Sequence, residues 1–138
     1  MVTTSTLGLQ TSGQGDTHDV TPLVAKVLSD ASIRAGLATI SVVGSTAAVT
    51  TIEFEPGAVA DLHKVFEHLA PRQGDYRHHL QWGDDNGSSH VRAALMGPSL
   101  SVPFVDGRLL LGTWQQIVLI EFDTRPRDRQ FIVQLMGE

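Results

Sequence analysis

The chain reads as one α+β domain, residues 1–138, dominated by antiparallel strands. Three observations predict this. Residues 37–43 (LATISVV) and 46–54 (TAAVTTIEF) are β-rich runs separated by Gly44. Asp106-Gly107 joins two further apolar runs, and an Asp-Gly pair in that setting is the strongest short hairpin signal. Only two or three stretches carry apolar residues at helical spacing. A length of 138 residues with 41% hydrophobic and 18% charged residues suits one domain with a real core and is too apolar for a disordered chain.

Taken in order, residues 1–18 are rich in Thr, Ser and Gly. Thr4, Thr6 and Leu9 suit a terminal strand, and Gly13 to Asp16 a turn. Asp19 or Thr21 is the expected cap of a first helix, because Pro22 belongs in a first helical turn and Leu23, Val24, Val27 and Leu28 recur at helical spacing. Gly36 marks where that helix and its tail must stop. After the strand pair, Pro56-Gly57 ends the second strand. A second helix runs from Ala58 to Leu69, with Val59, Leu62, Val65, Phe66 and Leu69 on one stripe and Pro71 beyond its end. Residues 73–87 (QGDYRHHLQWGDDNG) read as a polar loop, longer than a simple connection, and such length is usually functional or disordered. Ser88 or Ser89 caps a short third helix through Met96, which Gly97-Pro98 terminates. The remainder is β. SLSVPFV and RLLLGTWQQIVLIEF form the hairpin, and Ile117 to Phe122, apolar on both faces, belongs in the middle of a sheet. RPRDR reads as a turn and FIVQLM as the closing strand, with no internal repeat or linker.

Composition excludes several functions. The chain has no cysteine, which removes disulfide scaffolds, thiolate zinc sites and cysteine nucleophiles. A net charge of −5 has the wrong sign for a general nucleic-acid binder. No run approaches the roughly 18 apolar residues of a membrane span, and the first residues lack a signal-peptide pattern, so a cytoplasmic location without membrane partners is expected. Lys26 and Lys64 are outnumbered by eight arginines, a bias that suits carboxylate and phosphate recognition.

Four clusters carry candidate chemistry. The densest is Tyr76, His78, His79, Asp84, Asp85, Asn86 and His90. Imidazoles with carboxylates suit zinc or a similar divalent ion that activates water; the alternative is a loop tied down by Asx turns and structural histidines. The second is Gly44-Ser45-Thr46-Ala47 with Thr50, Thr51 and Glu53: exposed hydroxyls and amides at a strand start bind anions, and Glu53, bracketed by apolar residues, needs a partner if buried. The bland alternative is ordinary strand threonine. The third, Gly112-Thr113-Trp114-Gln115-Gln116 within the long central strand, lines a pocket or forms a bulge. In the fourth, Asp123 and Asp128 already offer Arg125 and Arg127 partners, so these read as solvated; Arg129 beside a strand and Arg108 after the hairpin turn are the better anion ligands.

The stretch YRHHLQWGDDNGSSHVRAALMGPSLSVPFVDGRLLLGTWQQIVLIEFDTRPRDRQFIVQLMGE closely resembles the C-terminal half of the YjbQ family. That family also shows GSTAAVTTIEFEPG, or a His-Thr-Ser-Ala version of it, in its middle. With the opening strand and helix the resemblance covers nearly the whole chain, through YxH, GDDNxxxH, DGRLxLGTWQ and the closing QLMGE. It implies an α+β fold with a β-sandwich-like core, two to three helices here, assembled as a homotrimer. It also implies a weak, secondary thiamine-phosphate synthase activity, in which hydroxymethylpyrimidine diphosphate joins thiazole phosphate and pyrophosphate leaves. By position, the family's shared histidines and acidic residues map to His78, Asp85, His90 and Glu53. Gly44 departs from the pattern, since many relatives carry the first His of His-Thr-Ser-Ala there. A three-histidine site would lose that ligand, with His79 or His63 left to substitute.

Three functional readings follow. As a synthase, the protein would use Mg²⁺ at the diphosphate, with Arg108, Arg129 and the Ser45/Thr46 strand end holding phosphate oxygens. Asn86, Thr113, Trp114 and Gln115 complete the candidate substrate-binding set. As a metal-dependent hydrolase or lyase on a small phosphorylated or carboxylated molecule, it would hold zinc or magnesium on His78, Asp85 and His90, with Glu53 as general base. As a non-catalytic protein, it would capture a small anion at the trimer interface.

Overall fold

A computed structural model describes the whole chain, Met1–Glu138. Its elements run β1 (Val2–Thr11), β2 (Thr17–Asp19), α1 (Thr21–Asp30), β3 (Ala35–Val43), β4 (Ala47–Ile52), α2 (Pro56–Leu69), α3 (Arg77–Trp82), α4 (Gly87–Met96), β5 (Ser99–Val105), β6 (Arg108–Leu109), β7 (Gln116–Glu121) and β8 (Arg127–Gly137). All pairings are antiparallel. A five-stranded sheet has the order β1-β8-β3-β5-β6, and a three-stranded sheet the order β2-β7-β4. No helix is long and apolar enough to cross a membrane.

Side-chain alternation explains the layering. One face of the large sheet sends Ile40 and Val42 from β3, Phe104 from β5 and Phe131, Val133 and Leu135 from β8 into the main core, where they meet Val49, Ile117 and Leu119 of the small sheet and Val24 and Leu28 of α1. The opposite face carries Thr4, Thr6, Gln130, Gln134 and Ser101, all exposed. The small sheet is buried on both sides: Val118 and Ile120 point away from the main core and pack with Ala48, Phe66, Ala93 and Phe122 in a second cluster beneath α2 and α4. This double burial is why Ile117 to Phe122 is apolar without alternation. The large sheet facing the small one gives the sandwich-like α+β architecture.

Local chemistry sets several boundaries differently from the sequence expectation. Pro56 does not end a strand's turn; it occupies the first turn of α2, whose Glu55 side chain accepts hydrogen bonds from the Gly57 and Ala58 amides. Only Phe66 of the α2 stripe is buried, and Val65 and Leu69 face solvent. The first helix is preceded by Val20, while Asp19 sits in β2 and accepts from the Thr21 amide at 2.9 Å. Gly36 lies within β3 instead of closing α1. Asn86 and not a serine stands before α4, and Ser88 and Ser89 are buried inside its first turn. Residues 73–87 contain a fourth helix, α3, closed by Gly83 in the left-handed conformation. RLLLGTWQQIVLIEF is not one strand: it divides into β6 and β7 around an exposed turn at Gly112–Gln115. RPRDR supplies the first three residues of β8 as well as a turn. The Asp106-Gly107 hairpin is as expected, with both residues at positive φ and Val105 paired to Arg108.

Candidate functional site

Where β3 passes into β4, the backbone of Gly44, Ser45 and Thr46 meets the end of β7, the start of β8, and the α3–α4 segment. Between them is a cavity of about 340 Å³ walled by these three residues with His78, Trp82, Asp84, Asn86, His90, Asp123, Arg127 and Arg129. Four of the wall's polar side chains, Thr46, Asn86, Asp123 and Arg129, are at least nine-tenths buried. Such groups must be satisfied by one another or by what the cavity holds.

Most are satisfied internally. Arg129 donates through Nε to Glu121 Oε1 at 2.7 Å and through Nη2 to Glu121 Oε2 at 2.6 Å. Glu121 is fully buried and also accepts from the Thr11 hydroxyl at 2.7 Å and the Asp123 amide at 3.1 Å. Arg129 Nη2 donates again to the Thr46 hydroxyl, which in turn donates to Asp123 Oδ2 at 2.9 Å. Asn86 Nδ2 donates to the same oxygen at 3.2 Å. Burial alone would push Asp123 up, but the hydrogen bonds from Asn86, Thr46 and the Arg125 amide, with Arg127 nearby, hold its carboxyl below the ordinary aspartate value. Asp123 therefore spends its lone pairs on the protein, whereas Asp84, half-exposed at the same wall, accepts only from the Asn86 amide at 3.2 Å.

The unused groups are mainly donors. Arg129 Nη1 makes no hydrogen bond within the chain and comes within 2.6 Å of where a Cβ on Gly44 would sit. Gly44 has φ +144°, so glycine serves twice here, in its backbone conformation and in leaving room for the guanidinium. The Ser45 hydroxyl and the His90 ring also reach the cavity without a side-chain hydrogen bond, and the Arg127 guanidinium lines it as an ion pair with Asp123, Nη1 to Oδ2 at 3.8 Å. Two further atoms are buried and orphaned, His78 Nδ1 and Asn86 Oδ1. His78 Nδ1 stands 3.1 Å from Asp84 Oδ1 but off the line a hydrogen bond needs. The His78 and His90 rings lie 4.4 Å apart between centroids.

His79 has a different task. Its Nε2 accepts from the Gly87 amide at 3.3 Å and its ring meets Tyr76 edge-on, so it pins the start of α4. Asp85 is exposed and faces His79 Nδ1 at 3.7 Å; of the Asp84-Asp85 pair it is Asp84 that lines the cavity, with Asp123. His63 lies elsewhere, with Nε2 3.1 Å from the Thr17 hydroxyl.

The structure thus brings together Ser45, Thr46, His78, Asn86, His90 and Arg129 of the sequence candidates. It does not bring in Glu53, which is exposed beyond the far end of β4, seven residues and roughly 20 Å of strand from Thr46. Thr113, Trp114 and Gln115 lie in the exposed turn at that same far end, where Gln115 Nε2 donates to the Thr51 hydroxyl at 3.3 Å. Arg108 is exposed at the β5–β6 hairpin. Arg127, expected in solvent, joins the wall because RPRDR enters β8. Sequence reasoning misses Glu121 and gives Asp123 only as a partner for the turn arginines; the signal for both is a carboxylate at the end of an otherwise apolar run.

Of the set His78, Asp85 and His90, the two histidines line the cavity, whereas Asp85 faces His79 outside its wall and Asp84 takes the place beside His78. The guanidinium beside Gly44, its charge paired with Glu121, presents Nη1 to the same wall as a fixed donor.

Comparison with known proteins agrees with this architecture. The family described as UPF0047 protein YjbQ-like matches residues 5–138. A UPF0047 protein of Methanothermobacter thermautotrophicus is 36% identical over 137 residues, covering 99% of this chain and 94% of that protein. The UPF0047 protein YugU of Bacillus subtilis is 32% identical, with 96% and 98% covered. Among solved structures, a hypothetical protein of Aeropyrum pernix superposes with a TM-score of 0.89 at 33% identity, each chain covered to 99%. A Sulfolobus solfataricus structure described as a YbjQ-like protein of unknown function also gives 0.89, at 28% identity with both chains fully covered. The chain belongs to the YjbQ-like UPF0047 family.

Proposed function

We propose that the cavity at the β3–β4 corner binds a small phosphorylated metabolite and that His78 and His90 move protons on it. The observation that carries this reading is Arg129: a buried guanidinium fixed on two sides by Glu121 and Thr46, with Nη1 left over at the cavity wall. A charged donor held in place at no further ordering cost is the preorganised electrostatics that anion binding uses. Arg127, at the same wall, adds a more exposed cation. His78 and His90 are the imidazoles there, the side-chain type that serves most often in general acid–base work.

The finer reading is the thiamine-phosphate synthase reaction that the family resemblance brings with it. There a C–N bond forms between the pyrimidine methylene carbon and the thiazole nitrogen, the C–O bond to the diphosphate breaks, and pyrophosphate leaves. Arg129 and Arg127 would take the oxygens of the departing diphosphate. The test has two stages. Calorimetric titration with phosphate and pyrophosphate should show saturable binding that weakens about tenfold in Arg127→Ala, as expected for one charge-assisted hydrogen bond. Incubation with both thiamine precursors should then yield thiamine phosphate by chromatography. Binding without product would remove the synthase and leave a small-anion site; no binding of either anion would remove the proposal.

A further inference from the structure

A second chamber of about 360 Å³ opens beside the polar cavity and shares Gly44, Ser45 and His90 with it. Its remaining wall is chemically different, made of Ala47, Ala93, Ala94 and Pro98. Apart from the shared His90 it has no ionisable side chain. Ala47 and Ala93 are buried members of the two core clusters, so this wall is held rigidly from behind, whereas Ala94 is exposed at the chamber's mouth. Gly44 puts no side chain between the two chambers, and the free Nη1 of Arg129 stands directly above it.

We infer that the ligand is bipartite: an anionic group held at Arg129 and a flat or aliphatic apolar body lying on the alanine wall, with the bond between them passing Gly44. The inference rests on the reading of the polar cavity as an anion site and adds the substrate class. That class is phosphate or diphosphate esters whose apolar group sits next to the phosphorus-bearing oxygen. Sugar and glycerol phosphates fit poorly, because their hydroxyls would lose water against methyl and proline carbons that return no hydrogen bond. His90 and Ser45, common to both chambers, flank the ester linkage where acid–base help is of use.

Three probes test this: inorganic phosphate, glycerol phosphate and phenyl phosphate, titrated into the full chain carrying ¹³C-methyl alanine. Phenyl phosphate is expected to bind about tenfold or more tightly than the other two and to shift the methyl signals of Ala47 and Ala94. Phosphate should bind without moving those signals. Ala94→Phe, at an exposed position, should abolish the preference for the phenyl ester while leaving phosphate affinity within about twofold. Equal affinity for the three probes, or alanine methyls unmoved by phenyl phosphate, would overturn the bipartite ligand and leave the anion site standing. Silence from all three would overturn the anion site and this inference with it.

Discussion

Replacing Arg129 by Met removes two of the four donors that Glu121 accepts from, the Nε and Nη2 bonds at 2.7 and 2.6 Å, and leaves the Thr11 hydroxyl and the Asp123 amide. Glu121 has no exposed surface through which water could compensate. The variant then keeps a buried carboxylate without its counter-charge, a defect that costs about 3–5 kcal/mol. For a domain of 138 residues this lowers the melting temperature by about 10–20 °C. Urea unfolding followed by circular dichroism measures the loss directly. The reasoning has a second arm: Arg129→Met combined with Glu121→Gln no longer buries a lone charge and should recover at least half of the loss. A single variant costing under about 1 kcal/mol, or a double variant no more stable than the single one, would refute the argument. Either result would mean that the pair is solvated or that the strands rearrange around it.

Gly44→Ala should lower stability by about 1–2 kcal/mol through its positive φ, and weaken phosphate binding at least tenfold by displacing the Arg129 guanidinium; parallel melting and titration check both. His63 lies below the ordinary histidine value of 6.5, first because burial disfavours its charged ring and then because Arg72 and Arg92 repel it. Between pH 6.5 and that lower folded value the unfolded chain binds more protons than the folded one, so stability present above pH 6.5 declines as the pH falls through the window. His63→Gln should flatten that part of the stability–pH curve, and an unchanged curve would contradict the assignment. Glu55→Ala removes the acceptor for the Gly57 and Ala58 amides and should cost about 1 kcal/mol in urea unfolding while leaving phosphate affinity unchanged.

The large elements were legible because their signals are set by burial. Ile117 to Phe122 announced a strand covered on both faces, and Asp106-Gly107 a type of turn that few other residue pairs can make. Helix α3 was not legible: RHHLQW has no apolar stripe, and its two large apolar side chains, Leu80 and Trp82, remain largely exposed. The site was half legible for a similar reason. His78, Asn86 and His90 cluster in the sequence, and Ser45, Thr46 and Arg129 stood out as polar groups at strand ends. Glu53 shows the limit, because alternation along a strand tells which face a side chain takes but not which end of the sheet the site occupies. Glu121 was hidden by its neighbours: a carboxylate closing an apolar run looks like the strand's exit into solvent until its partner, eight residues on, is placed beside it.

The antiparallel ladder between β1 and β8 pairs Val2 with Met136 and Thr11 with Arg127. During synthesis, β1 leaves the ribosome ahead of β8 and has no partner until β8 follows, on the order of ten seconds later at ordinary elongation rates. β3 can pair with β5 on one edge, but its other edge also stays open, since β8 lies between β1 and β3. Throughout that interval the nascent chain presents open strand edges rich in β-forming residues, the segments that chaperones cover and that aggregate when left bare. The same ordering leaves the β3–β4 corner unfinished in every incomplete chain, because Arg129 arrives only with β8. Closure of the large sheet and completion of that corner are one event.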